Sequence, residues 1–405
     1  MKLHLGCGHR RLDGFTHVDI EPTVAPDHVM DITNLSAFDD DTADLIYACH
    51  VLEHIRRPDV LDTLREWRRV LKPGGVLRLS VPDFRILASL VHHPNVGAAV
   101  VIGLGCERAN TRDFRPFIEK AEKPVAVFDV QESGSLQTAR KGIEAARRML
   151  AEIGPQRRVP MSWEKLLVAM ECGGSDAMSG VTANVALGSV SDWVVGKGGS
   201  VIFGENTEMI GTTHVLTRRA KNEEVAGKIA GMIDQAEQRT KDIMGPLASW
   251  VISPGNMDGG MSTIAEKSMG CIHKGGTTAI NQVVDYGEWP TEKGLILQDG
   301  PGYDGDSMAG LAASGSQVMF FSTGRGTPAG FPVVPVIKVT SNTRVYQTMR
   351  DDMDINAGRL VEGTPMEELR EKMIDYLVRV INGEKTRAEA NGMEVFTMMT
   401  VNPPF

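Results

Sequence analysis

Residues 171–184 run Glu171-Cys172-Gly173-Gly174-Ser175-Asp176 and on to Asn184, a string of acceptors, one thiol and three glycines with almost no apolar bulk. Such a run packs no core. Its glycines let the backbone approach a ligand closely, and Glu171, Cys172, Ser175, Asp176 and Asn184 offer ligands for a cation or a polyol. The pattern predicts an active-site loop. A second run over residues 255–276 has the same texture, and a third, Thr323-Gly324-Arg325-Gly326-Thr327-Pro328, adds a fixed cation. The three are expected to meet at one site.

Elements elsewhere in the chain must bring these loops together. With 405 residues the chain exceeds one ordinary core, and 42% hydrophobic residues suffice for two or three domains. The net charge of -9, with only short and scattered Arg-rich stretches, argues against a nucleic-acid surface. A small anionic substrate held by a few local cations remains compatible with it. Cys7, Cys49, Cys106, Cys172 and Cys271 lie far apart, form no CxxC pair and follow no secretory leader, which favours a reducing cytoplasm. No apolar run approaches the roughly 20 residues that span a bilayer, so a soluble protein with no membrane partner is expected.

The first 84 residues read as alternating strands and helices. Residues 2–5 form a strand that runs into Gly6-Cys7-Gly8, residues 16–19 a second strand ending in Asp19, and Asp31-Ile32 follows a third. Residues 44–54 are a strand leading toward a helix, and residues 59–71 carry Val60, Leu64, Trp67 and Leu71 at helical spacing. Residues 72–75, Lys-Pro-Gly-Gly, should stop that helix before a fifth strand at 76–82. With its Leu5-Gly6-Cys7-Gly8, His50-Val51-Leu52-Glu53-His54 and Leu71-Lys72-Pro73-Gly74-Gly75 motifs, this stretch resembles the class I S-adenosylmethionine-dependent methyltransferases. The resemblance implies that Gly6 and Gly8 face the methionine part of that cofactor, Asp19 the ribose, and Asp31 with Ile32 the adenine. Two features depart from the pattern. There is little room for a helix between Gly8 and Thr16, and the remaining strands do not follow Phe84.

Beyond residue 85 a helix at 86–91 and a buried strand at 96–105 lead to Cys106. Strand and helix then alternate: 124–130, 138–153, 201–203, 223–244, with later strands at 294–298, 318–321 and 333–339 and a last amphipathic helix at 366–382. That alternation predicts a parallel sheet with helices on both faces and ligand loops at the carboxyl ends of its strands. The fold expected is therefore α/β throughout, a Rossmann-like methyltransferase half-domain over residues 1–85 followed by a larger α/β body over 86–405.

From His93 onward the chain resembles the altronate/galactarate dehydratases, the sugar-acid hydro-lyases. The likeness rests on His93-Pro94-Asn95-Val96-Gly97-Ala98, Gly103-Leu104-Gly105-Cys106-Glu107, residues 171–176, 255–276, Asp299-Gly300-Pro301-Gly302-Tyr303, Thr323-Gly324-Arg325-Gly326 and residues 337–342. It implies dehydration of a hexonate or hexarate to a 2-keto-3-deoxy acid and a divalent metal (iron or manganese); a homo-oligomer is a separate expectation. The family's catalytic body ordinarily begins well before His93, so the body here is read as lacking its N-terminal part.

The implied chemistry assigns roles. Eliminating water from an aldonate removes a proton next to a carboxylate, stabilises the resulting enediolate with a metal or fixed cation, and protonates the departing hydroxide. Lys267, His273 and Lys274 are candidate bases or acids. Arg325 suits a bidentate grip on the substrate carboxylate. Asp176, Asn184 and Asp304 are placed on substrate hydroxyls, Asp176 also among the catalytic groups. Cys106, Glu171, Cys172, Glu266 and Cys271 form the candidate metal shell, mixed soft and hard as iron tolerates. Each has a plainer alternative: a free cysteine is commonly a small buried hydrophobe, His273 a solvated side chain, and His214 a satisfied core histidine. Three readings follow from the join: a sugar-acid dehydratase, a methyltransferase with an appended lyase-like module, and a hybrid that binds metabolites without turnover.

Overall fold

The computed structural model describes residues 1–8, 11–49, 51, 55, 59–80, 84–105, 111, 115, 118, 120–245 and 252–397. The chain divides into two compact units, one holding residues 1–84 and 98–154, the other 85–97 and everything described from residue 155 onward.

In the first unit five parallel strands, β1 (Lys2–Leu5), β2 (Thr16–Asp19), β3 (His28–Val29), β4 (Ala43–Cys49) and β5 (Leu71–Ser80), take the order β3-β2-β1-β4-β5. The chain leaves β1 toward β2 and later returns to place β4 on the other side. Its switch point therefore lies beside the Gly6-Cys7-Gly8 turn. Helix α1 (Val60–Val70) buries Trp67 completely, and Trp67 Nε1 donates to Ile32 O at 2.8 Å, which satisfies the indole inside an apolar core of Leu3, Leu5, Val18, Ile46 and Val70. No turn separates helix from strand here: Leu71 both caps α1 and opens β5, so the Lys-Pro-Gly-Gly stretch lies inside the strand rather than before it. Residues 11–15 form no helix, in keeping with the short spacing between Gly8 and Thr16.

The same unit contains a two-stranded parallel ribbon, β6 (Ala99–Gly103) with β7 (Val125–Asp129), against helix α2 (Ser135–Ile153). The expectation of a buried strand at 96–105 fails. Ile102 is 51% exposed and β6 pairs, among the described residues, with β7 alone.

The second unit is built on seven parallel strands: β8 (Leu167–Cys172), β9 (Ser200–Phe203), β10 (Ile280–Val284), β11 (Leu295–Gln298), β12 (Val318–Thr323), β13 (Val336–Thr340) and β14 (Ile355–Asn356), in the order β10-β11-β9-β8-β12-β13-β14. Side chains alternate across a strand, so register fixes which residues share a face. Val168 and Met170 pair with Val318 and Phe320 and with Val201 and Phe203. On that face pack helices α3 (Ala183–Gly196), α4 (Glu223–Met244) and, further along the chain, Leu369, Met373 and Leu377 of the helix Met366–Ile381. Each large apolar side chain buried there stabilises by about 1.5–3 kcal/mol. Helices α5 (Ile264–Cys271) and α6 (Asp304–Ala313) complete the site's supports, α6 against the opposite face of β8. His93 Nε2 meets Ser316 O at 2.9 Å and Asn95 Nδ2 donates to Gln317 O and Val333 O, which tie the segment after the helix Phe84–His92 to this unit.

Candidate active site and metal centre

The chain leaves β8 toward β9 on one side and β12 toward β13 on the other, so the carboxyl ends of β8 and β12 frame the switch-point crevice where ligands of open α/β sheets bind. The three glycine-rich runs meet there. Gly173 N donates to Ser322 O at 3.0 Å, and Gly174 O accepts from Gly324 N at 3.1 Å and Arg325 N at 2.8 Å. Asn256 Nδ2 donates to Ser175 O at 2.8 Å, and Ala177 N to Gly259 O at 2.9 Å. A Cβ on Gly180 would lie 2.8 Å from Gly270 Cα, so only glycine allows these two runs to approach so closely.

At the centre of this junction the sulfurs of Cys172, the last residue of β8, and Cys271, the last of α5, are 3.4 Å apart and buried. Glu205, fully buried in the turn after β9, accepts from Cys172 N at 3.2 Å. It sits at φ +73, a left-handed conformation that a non-glycine residue adopts at a cost of about 1–3 kcal/mol and that clusters at functional sites. Lys274 Nζ lies 3.1 Å from Cys271 Sγ and 3.2 Å from Cys172 Sγ and pairs with the Glu205 carboxylate. Glu208 closes the group: its Oε2 is 3.4 Å from Cys172 Sγ and its Oε1 2.5 Å from Lys267 Nζ. The hydrogen bond with Cys271 draws the Cys172 thiol down from its ordinary range, while the same contact and burial push Cys271 up.

On the opposite face Glu171, Phe321 and Lys338 stand side by side on β8, β12 and β13. Ser307 Oγ of α6 donates to Glu171 Oε2 at 2.6 Å, and burial raises the Glu171 carboxyl well above its usual range. Lys338 is fully buried, with Nζ 3.3 Å from the centroid of the Phe321 ring, and burial pulls it down to about 7. Asp304, the first residue of α6, packs on Gly173, where a Cβ would come within 2.2 Å of its Oδ2. Burial, then the Glu208 charge, push Asp304 up to about 6.

The structure redistributes the residues expected from sequence. Cys172, Cys271, Lys267 and Lys274 come together, and Asp304 lies beside them. Lys267 pairs with Glu208: burial works against its ammonium, but the Glu208 carboxylate outweighs burial and raises the net value. Glu266 is exposed and does not belong to the close group of Cys172, Glu205 and Cys271. Its Oε2 accepts from Ser262 N at 2.9 Å while its own N–H is capped by Thr263, so it closes the start of α5 rather than ligating a metal. Glu171 faces away from Cys172 because adjacent strand residues alternate, which removes it from the thiol group. Asp176 is committed to structure, accepting from Ser179 Oγ at 2.8 Å, Ser341 Oγ at 2.7 Å and Asn342 Nδ2 at 3.0 Å. Asn184 likewise spends both ends of its amide, donating to Gly270 O at 3.0 Å and accepting from Ser322 Oγ at 2.5 Å. His273 lies at the surface with its ring partly covered, and that partial burial, followed by the Arg219 charge, lowers its pKa. His214 is exposed rather than a core histidine. Arg325 is exposed at the mouth, its Cβ 3.5 Å from the Cβ position of Gly174. Cys106 lies outside the described residues.

In the first unit Gly6 and Gly8 take left-handed φ of +61 and +51, and Asp19 accepts from Gly8 N at 2.8 Å and Glu21 N at 3.0 Å, holding the turn against β2. Asp31 is exposed and closes its own turn through Thr33 N at 2.8 Å, and Ile32 packs against the core.

Sequence reasoning missed Glu205, Glu208 and Lys338. A signal existed for the first: Gly204-Glu205 directly follows the apolar run of β9, at the carboxyl end where ligand loops are expected. Lys338 gave one too, as a lone cation inside an apolar strand.

The Sγ and carboxylate atoms of Cys172, Glu205 and Cys271 all lie within 4.8 Å of one another. Two thiols and one carboxylate, all buried, fit a thiophilic divalent transition metal.

The D-galactarate/altronate dehydratase C-terminal family matches residues 163–403, the D-galactarate dehydratase/altronate hydrolase second-domain family residues 81–154, and a methyltransferase domain family residues 4–79. The altronate dehydratase of Bacillus subtilis (strain 168) is 38% identical over 315 residues, covering 76% of this chain and 61% of the relative. The galactarate dehydratase (L-threo-forming) of Escherichia coli (strain K12) is 36% identical over 320 residues, 76% of this chain and 60% of the relative. The (2R)-sulfolactate sulfo-lyase subunit beta of Chromohalobacter salexigens is 32% identical over 322 residues, 78% of this chain and 81% of the relative. The chain thus spans about three fifths of the length of the dehydratases it matches. Through its second unit and the segment leading into it, the chain belongs to the D-galactarate/altronate dehydratase family, with a methyltransferase-domain segment ahead of it.

Proposed function

We propose that the second unit removes water from a small sugar acid of the altronate or galactarate type to give a 2-keto-3-deoxy acid. The observation that carries this reading is the convergence of three glycine-rich loops on the buried Cys172, Glu205, Cys271 and Lys274 group, beside an exposed Arg325. Cys172, Glu205 and Cys271 would hold a divalent metal, iron by the softness of the sulfurs, whose charge would stabilise negative charge developing on substrate oxygens. Arg325 grips the substrate carboxylate at the mouth. Asp304, pushed up to about 6, keeps a protonated fraction near neutral pH and supplies the proton to the departing hydroxide. The free thiols agree with a reducing cytoplasm. Among the described residues no helix is long and apolar enough to cross a membrane.

The test is to load the full chain anaerobically with ferrous iron, supply altronate or galactarate, and assay the 2-keto-3-deoxy acid. Arg325→Ala should raise KM by about 10- to 100-fold, as loss of a charged hydrogen-bonding pair does. Absence of product from either acid rejects the reading. The greater share of the sulfo-lyase that is covered favours one further substrate, (2R)-sulfolactate, tested by its consumption under the same conditions. For the first unit we propose S-adenosylmethionine binding at the Gly6–Gly8 turn, supported by its position beside the β1/β4 switch point. No heat on titrating millimolar cofactor into the full chain would remove it.

A further inference from the structure

Lys274 has a lysine's three N–H donors, and three acceptors surround its nitrogen: Cys271 Sγ at 3.1 Å, Cys172 Sγ at 3.2 Å and a Glu205 carboxylate oxygen. Those are the same three residues whose donor atoms cluster closely enough to ligate a metal. The ammonium is fully buried, and Ser191 Oγ donates to the Lys274 carbonyl at 2.6 Å, which fixes the backbone from which the side chain extends. Two cations on one set of donors would sit a few ångström apart in a fully buried site, and their repulsion excludes simultaneous occupancy.

We propose that Lys274 is a built-in competitor for the metal centre: its ammonium caps Cys172, Cys271 and Glu205, and a metal loads only by expelling it. This rests on the reading that the centre takes a metal and adds what governs entry. The ammonium keeps the donors gathered in a buried site where an uncompensated carboxylate charge would be costly. It also sets a threshold. An ion must bind sulfur strongly enough to displace a fully hydrogen-bonded ammonium, which thiophilic iron, cobalt or zinc can do and hard magnesium or calcium cannot. The same argument favours iron over the harder manganese in this chain.

The experiment is an anaerobic cobalt(II) titration of the full chain, read by the near-ultraviolet sulfur-to-cobalt charge-transfer band. Cys271→Ser should lose intensity in that band, which locates it at this centre. Lys274→Met should bind cobalt about 10- to 100-fold more tightly than the parent, the range over which groups contacting metal ligands act, with band intensity retained. Lys274→Gln, neutral and still able to donate hydrogen bonds, provides the same comparison if the methionine variant folds poorly, and should also bind more tightly. Unchanged or weaker cobalt affinity in the folded variants overturns the proposal, as does the absence of a charge-transfer band in every protein. Because the readout is cobalt ligation rather than turnover, failure of the sugar-acid assay leaves this result independent.

Discussion

Replacing Lys338 with methionine should stabilise the second unit, and by an amount that depends on pH. Lys338 is fully buried, its Nζ finds no hydrogen-bond acceptor, and its ammonium rests on the Phe321 ring 3.3 Å from the centroid. Two effects oppose each other. Removing the charge relieves its burial, but it also deprives Asp304, Glu171 and Asp354 of a nearby cation. Burial is the larger, because it lowers the amine from its ordinary 10.5 to about 7 despite those three carboxylates. At 1.36 kcal/mol per pH unit, that displacement amounts to an upper value of about 5 kcal/mol. The sign follows from proton counts. Between about pH 7 and 10.5 the unfolded chain keeps a proton on this lysine that the folded one has released, so this contribution makes the parent more stable as pH rises. Lys338→Met lacks that dependence. Methionine matches the length of the lost side chain and its thioether packs well on an aromatic ring. The gain should therefore be largest near pH 6, up to about 5 kcal/mol, and shrink to about 1 kcal/mol near pH 10. Guanidinium unfolding at about pH 6, 8 and 10, followed by tryptophan fluorescence, measures it. A variant less stable than the parent near pH 6, or a difference independent of pH, would refute the reasoning and mean that the amine is paired.

Three other substitutions probe the supports of the site. Asp176→Ala removes the acceptor of Ser179, Ser341 and Asn342 and should cost about 3 kcal/mol in the denaturant midpoint analysis; a loss below about 0.5 kcal/mol would contradict its role as a clamp. Gly188→Ala puts a Cβ 2.1 Å from His273 O, where α3 packs on the turn carrying Lys274, and should destabilise by about 1–3 kcal/mol in thermal unfolding. An unchanged melting temperature would mean that this contact is looser than the structure shows. Asp304→Asn tests the raised carboxyl: its neutral form is favoured in the fold, so the contribution is fully present below the ordinary 3.8 and is lost as pH rises through about 6. Because burial also raises Glu171 and Asp354, the variant should show a shallower decline in stability between about pH 4 and 6 than the parent, and identical pH profiles would rule the shift out.

Much of the strand plan was legible because apolar runs such as Val201–Phe203 and Val318–Phe321 leave only one way to be buried. Two helices that hold the site were not. In α3, Ala183, Asn184, Ala186, Leu187, Gly188, Val190, Ser191 and Val194 are all buried, and α6 is buried along nearly its whole length, so neither carries the one-sided periodicity by which surface helices are recognised. Their small residues and glycines read as loop. Residues 166–170 had the composition of a strand, but the polar motif beginning at Glu171 drew attention to the loop and hid the fact that Glu171 and Cys172 end β8.

Residue type and spacing alone established three polar, glycine-laced loops on an α/β frame, with Cys172, Cys271 and Arg325 among them. Only the fold decided that Cys172 and Cys271 lie 3.4 Å apart, that Glu205 joins them and that Glu171 does not. The reason is geometric. Adjacent residues of a strand point to opposite faces, so Glu171 and Cys172 part company at a single peptide bond, while β9 lies next to β8 in the sheet and delivers Glu205 from a distant stretch of sequence. Strand order and register carry that information, and neither is written in the local pattern of any one segment.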